Sequence, residues 1–227
     1  MRKDALVTRS GGAVALGLLG ALLVGGVSQA FLWRWGLGGL SDVLGSQFMW
    51  VLLIFGVAWG WAEGRVGQGA AAGGVTGLAL IVSYYAMQWV ADGRHSAVAQ
   101  FSKTGGVAWT LAAMGGGAVI GLFGALASLD GRDRPRWKAL GVATPAVIVG
   151  AGPVLWILTN GRYLEPSRLL SALVVFVLAG GGLLVYAVRT CGAIASLRAS
   201  AVSVGLGAAA LVGLLWLQTH GWLYLTF

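Results

Sequence analysis

The chain has 227 residues, of which 58% are hydrophobic and only 10% charged, with a net charge of +8 and a mean hydropathy of +0.83. A soluble domain needs about 25% charged residues to cover its surface, so the composition excludes a soluble globule and predicts an integral membrane protein. A single cysteine, Cys191, excludes an intramolecular disulfide, and the two histidines, His95 and His220, lie too far apart in sequence to suggest a structural metal.

Long apolar runs recur along the chain, each near the ~20 residues that cross a bilayer as a helix. Lipid offers backbone amides no partners, so each run must satisfy its own hydrogen bonds as a helix, and the period-two alternation of a membrane barrel is absent. The first run, 11–32, follows Met1-Arg2-Lys3 and is longer than a secretory core, which predicts a retained helix. The second, 46–65, is strictly apolar only from Phe48 to Ala62, so a full crossing draws Glu63 into the edge of the hydrocarbon. The third, 68–91, carries Gly69, Gly73 and Gly77, and the fourth, 105–128, carries Gly117, Gly121 and Ala125. The fifth, 139–159, holds Pro145 and Pro153, which predict a bend around 149–153. The sixth and seventh are 169–188 and 199–219, the last with Gly205, Ala209 and Gly213; the first has Gly17, Ala21 and Gly25. Small residues four apart let helix backbones approach closely, the main source of adhesion in lipid. They predict packing within the chain and leave a homo-oligomer face open. The expectation is an all-α polytopic membrane protein, one domain over 1–227 built as a bundle of about seven transmembrane helices.

Lys and Arg set the orientation. With the N-terminus inside, the inner segments hold Arg2, Lys3, Arg9, Arg65, Arg132, Arg134, Arg136, Lys138, Arg189 and Arg198, and the outer ones Arg34, Arg94, Lys103, Arg162 and Arg168. The excess inside predicts a cell-membrane protein with a cytoplasmic N-terminus and an outer C-terminus. The same placement in loops points to membrane lipids, not nucleic acid, as the partner of the positive charge. Spans two and three weakly resemble spans four and five: each pair starts near a tryptophan (Trp50, Trp109), turns at Gly64-Arg65 or Gly131-Arg132, and ends near another (Trp89, Trp156).

Eleven tryptophans are many for this length. Most fit an aromatic belt at headgroup level. Some share a helix face with other aromatics and a polar group, and these are the candidates for binding a substrate. Phe55, Trp59 and Glu63 fall on one face of span two, next to Trp61. Tyr85, Trp89 and Asp92 fall on one face of span three, with Tyr84 and Gln88 beside it. Trp109 opens span four, and Trp156 and Asn160 pair at the outer end of span five. A carboxylate at membrane depth is costly and points to function, which makes Glu63 and Asp92 the candidate catalytic groups. No span has a charge near its centre, no lysine lies in span seven, and nucleotide, metalloprotease and hydrolase motifs are absent.

A small, Trp-rich chain with a glutamate closing its second helix, Trp59-Gly60-Trp61-Ala62-Glu63-Gly64-Arg65, resembles the integral-membrane terpene cyclases, both the actinobacterial group acting on prenylated indoles and the fungal meroterpenoid enzymes. The resemblance implies an isomerase-type enzyme without metal or cofactor. Glu63 would protonate a polyprenyl olefin or epoxide, and aromatic faces would stabilise the carbocation by cation–π attraction of about 0.5–2 kcal/mol each. The second acid that fungal members carry in the last helix is missing, since nothing acidic follows Glu165. Glu63 and Asp92, at opposite ends of span three, stand roughly 30 Å apart and cannot serve one carbon. The alternative is a small transporter or substrate-binding subunit for an apolar solute. Either way the expected ligand is a lipid-soluble molecule, a prenylated one for the cyclase.

Overall fold

The computed structural model describes residues 19–20, 47–92, 98–99, 101–102, 106–160 and 166–219, with side chains described for most of them. Among the described residues there are six long helices and no strand: α1 Gln47–Trp61, α2 Val66–Asp92, α3 Gly106–Ala127, α4 Pro135–Asn160, α5 Pro166–Cys191 and α6 Ala193–Thr219. They coincide with the predicted spans from the second to the seventh. The predicted first span, 11–32, falls almost wholly outside the described residues.

Local chemistry explains the helix ends. Pro135 and Pro166 each occupy a first helical position, where the missing N–H costs no hydrogen bond. Pro145 and Pro153 do not interrupt α4, and Pro145 is fully buried against the neighbouring helices. Gly192, with φ 87°, is the whole connection between α5 and α6. Its N–H donates to the Val188 carbonyl at 3.0 Å, and its carbonyl accepts from the Ser196 N–H at 3.1 Å. The loop expected between 189 and 198 is therefore helical on both sides of one glycine. Arg189 and Arg198, whose charges suggested a loop, lie exposed on helix ends, where their long stems carry the charge outward.

The turn after α1 differs more sharply from expectation. The Ala62 N–H closes the last helical turn onto Ala58 O at 2.9 Å, and then Glu63 (φ 44°) and Gly64 (φ 79°) both take the left-handed conformation. Gly64 N–H donates to Ser128 Oγ at 2.6 Å, and that hydroxyl donates to Ala125 O at 2.8 Å, so the turn is tied to the end of α3. A Cβ at Gly64 would lie 3.0 Å from Leu129 Cδ2 on a backbone that L-residues avoid, which is why glycine stands there.

The most extensive contact joins α2 and α3. The predicted small-residue rows of these two helices face each other: a Cβ on Gly73 would overlap the Gly117 carbonyl oxygen, and one on Gly77 would overlap that of Ala113. Gly124 brings α3 as close to α1, and Gly180 brings α5 to Gly150 of α4. The row in α6 behaves otherwise. Gly205 and Gly207 have open space around them and Ala209 is exposed, so the packing expected there is not made by the described residues. Instead α6 meets α4 through a 2.8 Å hydrogen bond between the Thr144 and Ser203 hydroxyls, in which one donates to the other and the acceptor donates back to its own helix, at Leu140 O or Ala199 O. The row at 17–25 lies outside the described side chains.

Apolar side chains make up both most of the interior and much of the exterior, with a few polar ones buried among them. Thr76, Ser83, Gln88, Thr144, Ser196 and Ser203 are buried, whereas Val75, Val82, Leu111, Val119, Leu178, Leu197 and Leu206 are exposed. Among the described residues two stretches, Val66–Val90 and Gly106–Ala127, are long and apolar enough to cross a membrane, and only 39% and 33% of their best windows are buried within the protein. The interior is organised around Ile54, Phe55, Leu80, Ile120 and Val142, with Phe176 and Val149 forming a second centre.

Candidate functional site

Because α1 and α2 run antiparallel from the turn at 62–65, the start of α1 lies beside the end of α2. Trp50 there packs on the core and meets Tyr84 edge-on, with ring centroids 6.5 Å apart at 71°. Tyr84 and Tyr85 touch at 5.3 Å and 87°, and Tyr85 meets Phe101 at 5.1 Å and 73°. Perpendicular rings place positive edges on negative faces, the favoured aromatic geometry. One helical turn beyond Tyr84 stands Gln88, only 7% exposed. Trp50 Nε1 and Gln88 Oε1 are both buried and have no hydrogen-bond partner among the described residues. Leaving a donor or an acceptor so costs about 1–3 kcal/mol each. A buried donor and a buried acceptor, both unpaired beside a chain of four aromatic rings, mark this end as the candidate site.

A second aromatic group lies nearer the opposite end. Phe55 and Trp59 meet at 5.3 Å with their planes tilted by 47° along α1, and Trp59 meets Tyr186 of α5 at 5.2 Å. Lys138 of α4 places its Nζ 5.9 Å from the Tyr186 ring centre. Phe55 is 2% exposed, and Trp59 and Trp61 are half-buried. Phe55 and Trp59 thus share a face as predicted, but Glu63 does not extend it: the helix stops at Trp61, and Glu63 is exposed in the left-handed turn. The helical spacing used to place Glu63 fails because the helix ends at Trp61, two residues before Glu63, and the chain turns through the left-handed pair Glu63 and Gly64.

Other candidates separate by exposure. Tyr84, Tyr85 and Gln88 join the first cluster, whereas Trp89 (54% exposed) and Trp109 (41%) point outward. Those two suit a belt at headgroup level better than a pocket. Asp92 ends α2 one turn past Gln88, but its side chain, like those of Trp156 and Asn160, lies outside the described side chains. Sequence reasoning missed Trp50, taken only as a belt residue, as well as Phe101, Tyr186 and Lys138. The signal for Trp50 was its register with the buried Ile54, four residues on; the others come from distant segments and carry no local sign.

The connections α1–α2, α3–α4 and α5–α6 lie at one end. Gly64 bonds to Ser128, and a Cβ on Gly131 would lie 2.8 Å from the Thr190 carbonyl oxygen. Arg65, Arg132, Arg134, Arg136, Arg189 and Arg198 are exposed in or beside these turns, with Glu63, Asp130 and Asp133 as the acids. Asp130 is used locally, accepting from Arg132 N–H at 2.9 Å. The two proposed repeat units do turn in the same direction, but Gly131 lacks the left-handed backbone of Gly64. Among the described residues no three His, Cys, Asp or Glu side chains converge. No family model, curated protein or solved structure matches the chain.

Proposed function

We propose that the protein is a multi-pass membrane protein that takes an apolar small molecule from the lipid phase into the aromatic cluster between the start of α1 and the end of α2. The observation carrying this reading is the apolar exterior: valines and leucines stand exposed along the helices, around an interior that is itself mostly apolar and holds a few buried hydroxyls and one amide. Contiguous apolar surface of this kind is a liability in water and the normal exterior in lipid. The basic turns gathered at one end favour that end in the cytoplasm, with the N-terminus inside and the C-terminus outside. Within such a bundle, edge-to-face rings and an unpaired donor and acceptor are the features of a ligand site.

Two observations weigh for binding over cyclisation at Glu63. The carboxylate stands exposed in a turn, away from the aromatic face that would have to hold the reacting chain. The ammonium of Lys138 also already occupies the Tyr186 side of that aromatic group, and a fixed cation there opposes a developing carbocation. A cyclase retains one foothold in Asp92, one turn beyond Gln88 on α2, at the end where the aromatic cluster lies.

Carbonate-washed membranes should retain the protein, and an apolar photoreactive probe should label it saturably near Trp50, Tyr84 and Tyr85. Release into the wash would overturn membrane embedding, and uniform, non-saturable labelling would overturn a discrete site. Membranes supplied with prenylated indoles and prenyl alcohols test the second reading by mass spectrometry. Cyclic product abolished by Asp92→Asn but not by Glu63→Gln would replace binding with catalysis.

A further inference from the structure

We propose that the cluster around Trp50 and Gln88 recognises the hydroxyl end of a neutral, lipid-soluble alcohol. This deepens the binding reading above and rests on it.

The chemistry follows from which atoms are left unpaired. Trp50 Nε1 can only donate, and Gln88 Oε1 can only accept. Tyr84 links the two, since its ring meets Trp50 and Gln88 follows it by one turn on the same face of α2. The complement of such a pair is one group that accepts and donates at once. A carboxylate accepts only and would face the Gln88 oxygen with its own negative charge. An ammonium donates only and would face the indole N–H. Ethers and ketones leave Gln88 unpaired, and a carboxamide brings more donors and acceptors than the two it would meet. A hydroxyl accepts from the indole N–H and donates to the amide oxygen, so both orphans are paired by one small group.

Water is also a donor and an acceptor. A buried water, however, is held by about three hydrogen bonds, and among the described residues two orphan atoms are found here. A lipid alcohol needs no third partner, because its carbon chain contacts rings that water would leave dry: Tyr84, Tyr85 and Phe101 continue from Trp50 as one connected series. Depth agrees as well. Trp50 lies in the first turn of α1 and Gln88 in the last turns of α2, so the pair sits toward a bundle end, where an alcohol's polar head would rest while its tail points to the centre.

The test uses the full chain in lipid nanodiscs and a photoreactive long-chain primary alcohol. Competitors are the unlabelled alcohol, its methyl ether, the matching fatty acid and the alkane. The alcohol should compete about tenfold better than the ether, the equivalent of one net hydrogen bond, and the fatty acid should be weaker than the alcohol at a pH where it is ionised. Gln88→Leu and Gln88→Met should both bring the alcohol-to-ether ratio to about one and leave alkane competition intact. The ratio is measured on whatever fraction folds, so partial loss of yield does not obscure it. Equal competition by alcohol and ether in the parent, as when water already fills the pair, would overturn hydroxyl recognition and leave apolar binding standing. A ratio unchanged in both Gln88 variants would do the same. If no competitor displaces the probe, the binding reading itself falls.

Discussion

Gly73→Ala is the most direct probe of how this bundle is held together. Its Cβ would overlap the Gly117 carbonyl oxygen and lie 2.8 Å from Gly121 Cα and 2.9 Å from the Gly117 carbonyl carbon. All three are backbone atoms, so no rotamer change makes room. Restoring an ordinary contact of ~3.4 Å to Gly121 alone separates the helices by at least ~0.6 Å, and a gap of that size forfeits a quarter to a half of each contact's attraction. Overpacking of this kind costs about 1–3 kcal/mol, and backbone contact puts Gly73 at the upper end. Alanine also gains about 1 kcal/mol of helix propensity over glycine, so a control must carry the same gain. Gly116→Ala is that control: it lies in the facing helix α3, with no heavy atom within 4 Å of its Cβ position. Propensity cancels between the two, leaving a difference of about 3 kcal/mol in favour of Gly116→Ala. Unfolding of the purified protein in mixed micelles, followed by tryptophan fluorescence, measures it. Equal midpoints for the two variants would refute the close-packed seam.

Other consequences can be checked with the same preparation. Glu63→Gly should raise the unfolding free energy by about 1 kcal/mol, because a left-handed backbone costs about that much for a residue with a Cβ; a lowered midpoint would mean that the side chain has a stabilising role. Ser203→Ala should cost about 0.6 kcal/mol, and a double-mutant cycle with Thr144→Val should place that energy in the contact between α4 and α6; strict additivity would deny it. A reporter inserted near Arg134 should be cytoplasmic and one fused after Phe227 should lie outside, and a cytoplasmic C-terminus would reverse the orientation or change the number of spans.

The helices were legible because each depends only on a local apolar run, and the α2–α3 seam because Gly69, Gly73 and Gly77 repeat at the spacing of one helix face. Three features escaped for identifiable reasons. The single-residue turn at Gly192 was hidden by Arg189 and Arg198, whose charge reads as loop although their stems let them stay helical. Glu63 was placed on the Phe55–Trp59 face by carrying the helical period through Gly64, a residue that ends helices. The α6 row shows that small residues permit close approach without supplying a neighbour, since Gly205 and Gly207 meet nothing within 4 Å among the described residues. For the candidate site, Tyr84, Tyr85 and Gln88 could be found because they neighbour one another on one helix. Trp50 and Phe101 join them only through tertiary contact, and no spacing rule encodes that.

The three joined turns also have a mechanical meaning. Gly64 is bonded to Ser128, Gly131 is pressed against the Thr190 carbonyl, and Gly192 leaves no slack between α5 and α6, so this end cannot spread without breaking a bond or unwinding a helix. It acts as a pivot, and relative motion of the helices becomes rotation about it. Helix α2, at 27 residues, is ~40 Å long, so one degree of tilt at the pivot displaces its far end by ~0.7 Å. A tilt of a few degrees therefore moves the far end of α2, past Gln88, by a few ångströms, whereas α1, at 15 residues and ~22 Å, moves about half as far at its start near Trp50, and the seam near the pivot hardly moves. A stiff hinge at one face and long levers reaching the other concentrate any opening of the helices at the end where Trp50 and Gln88 lie.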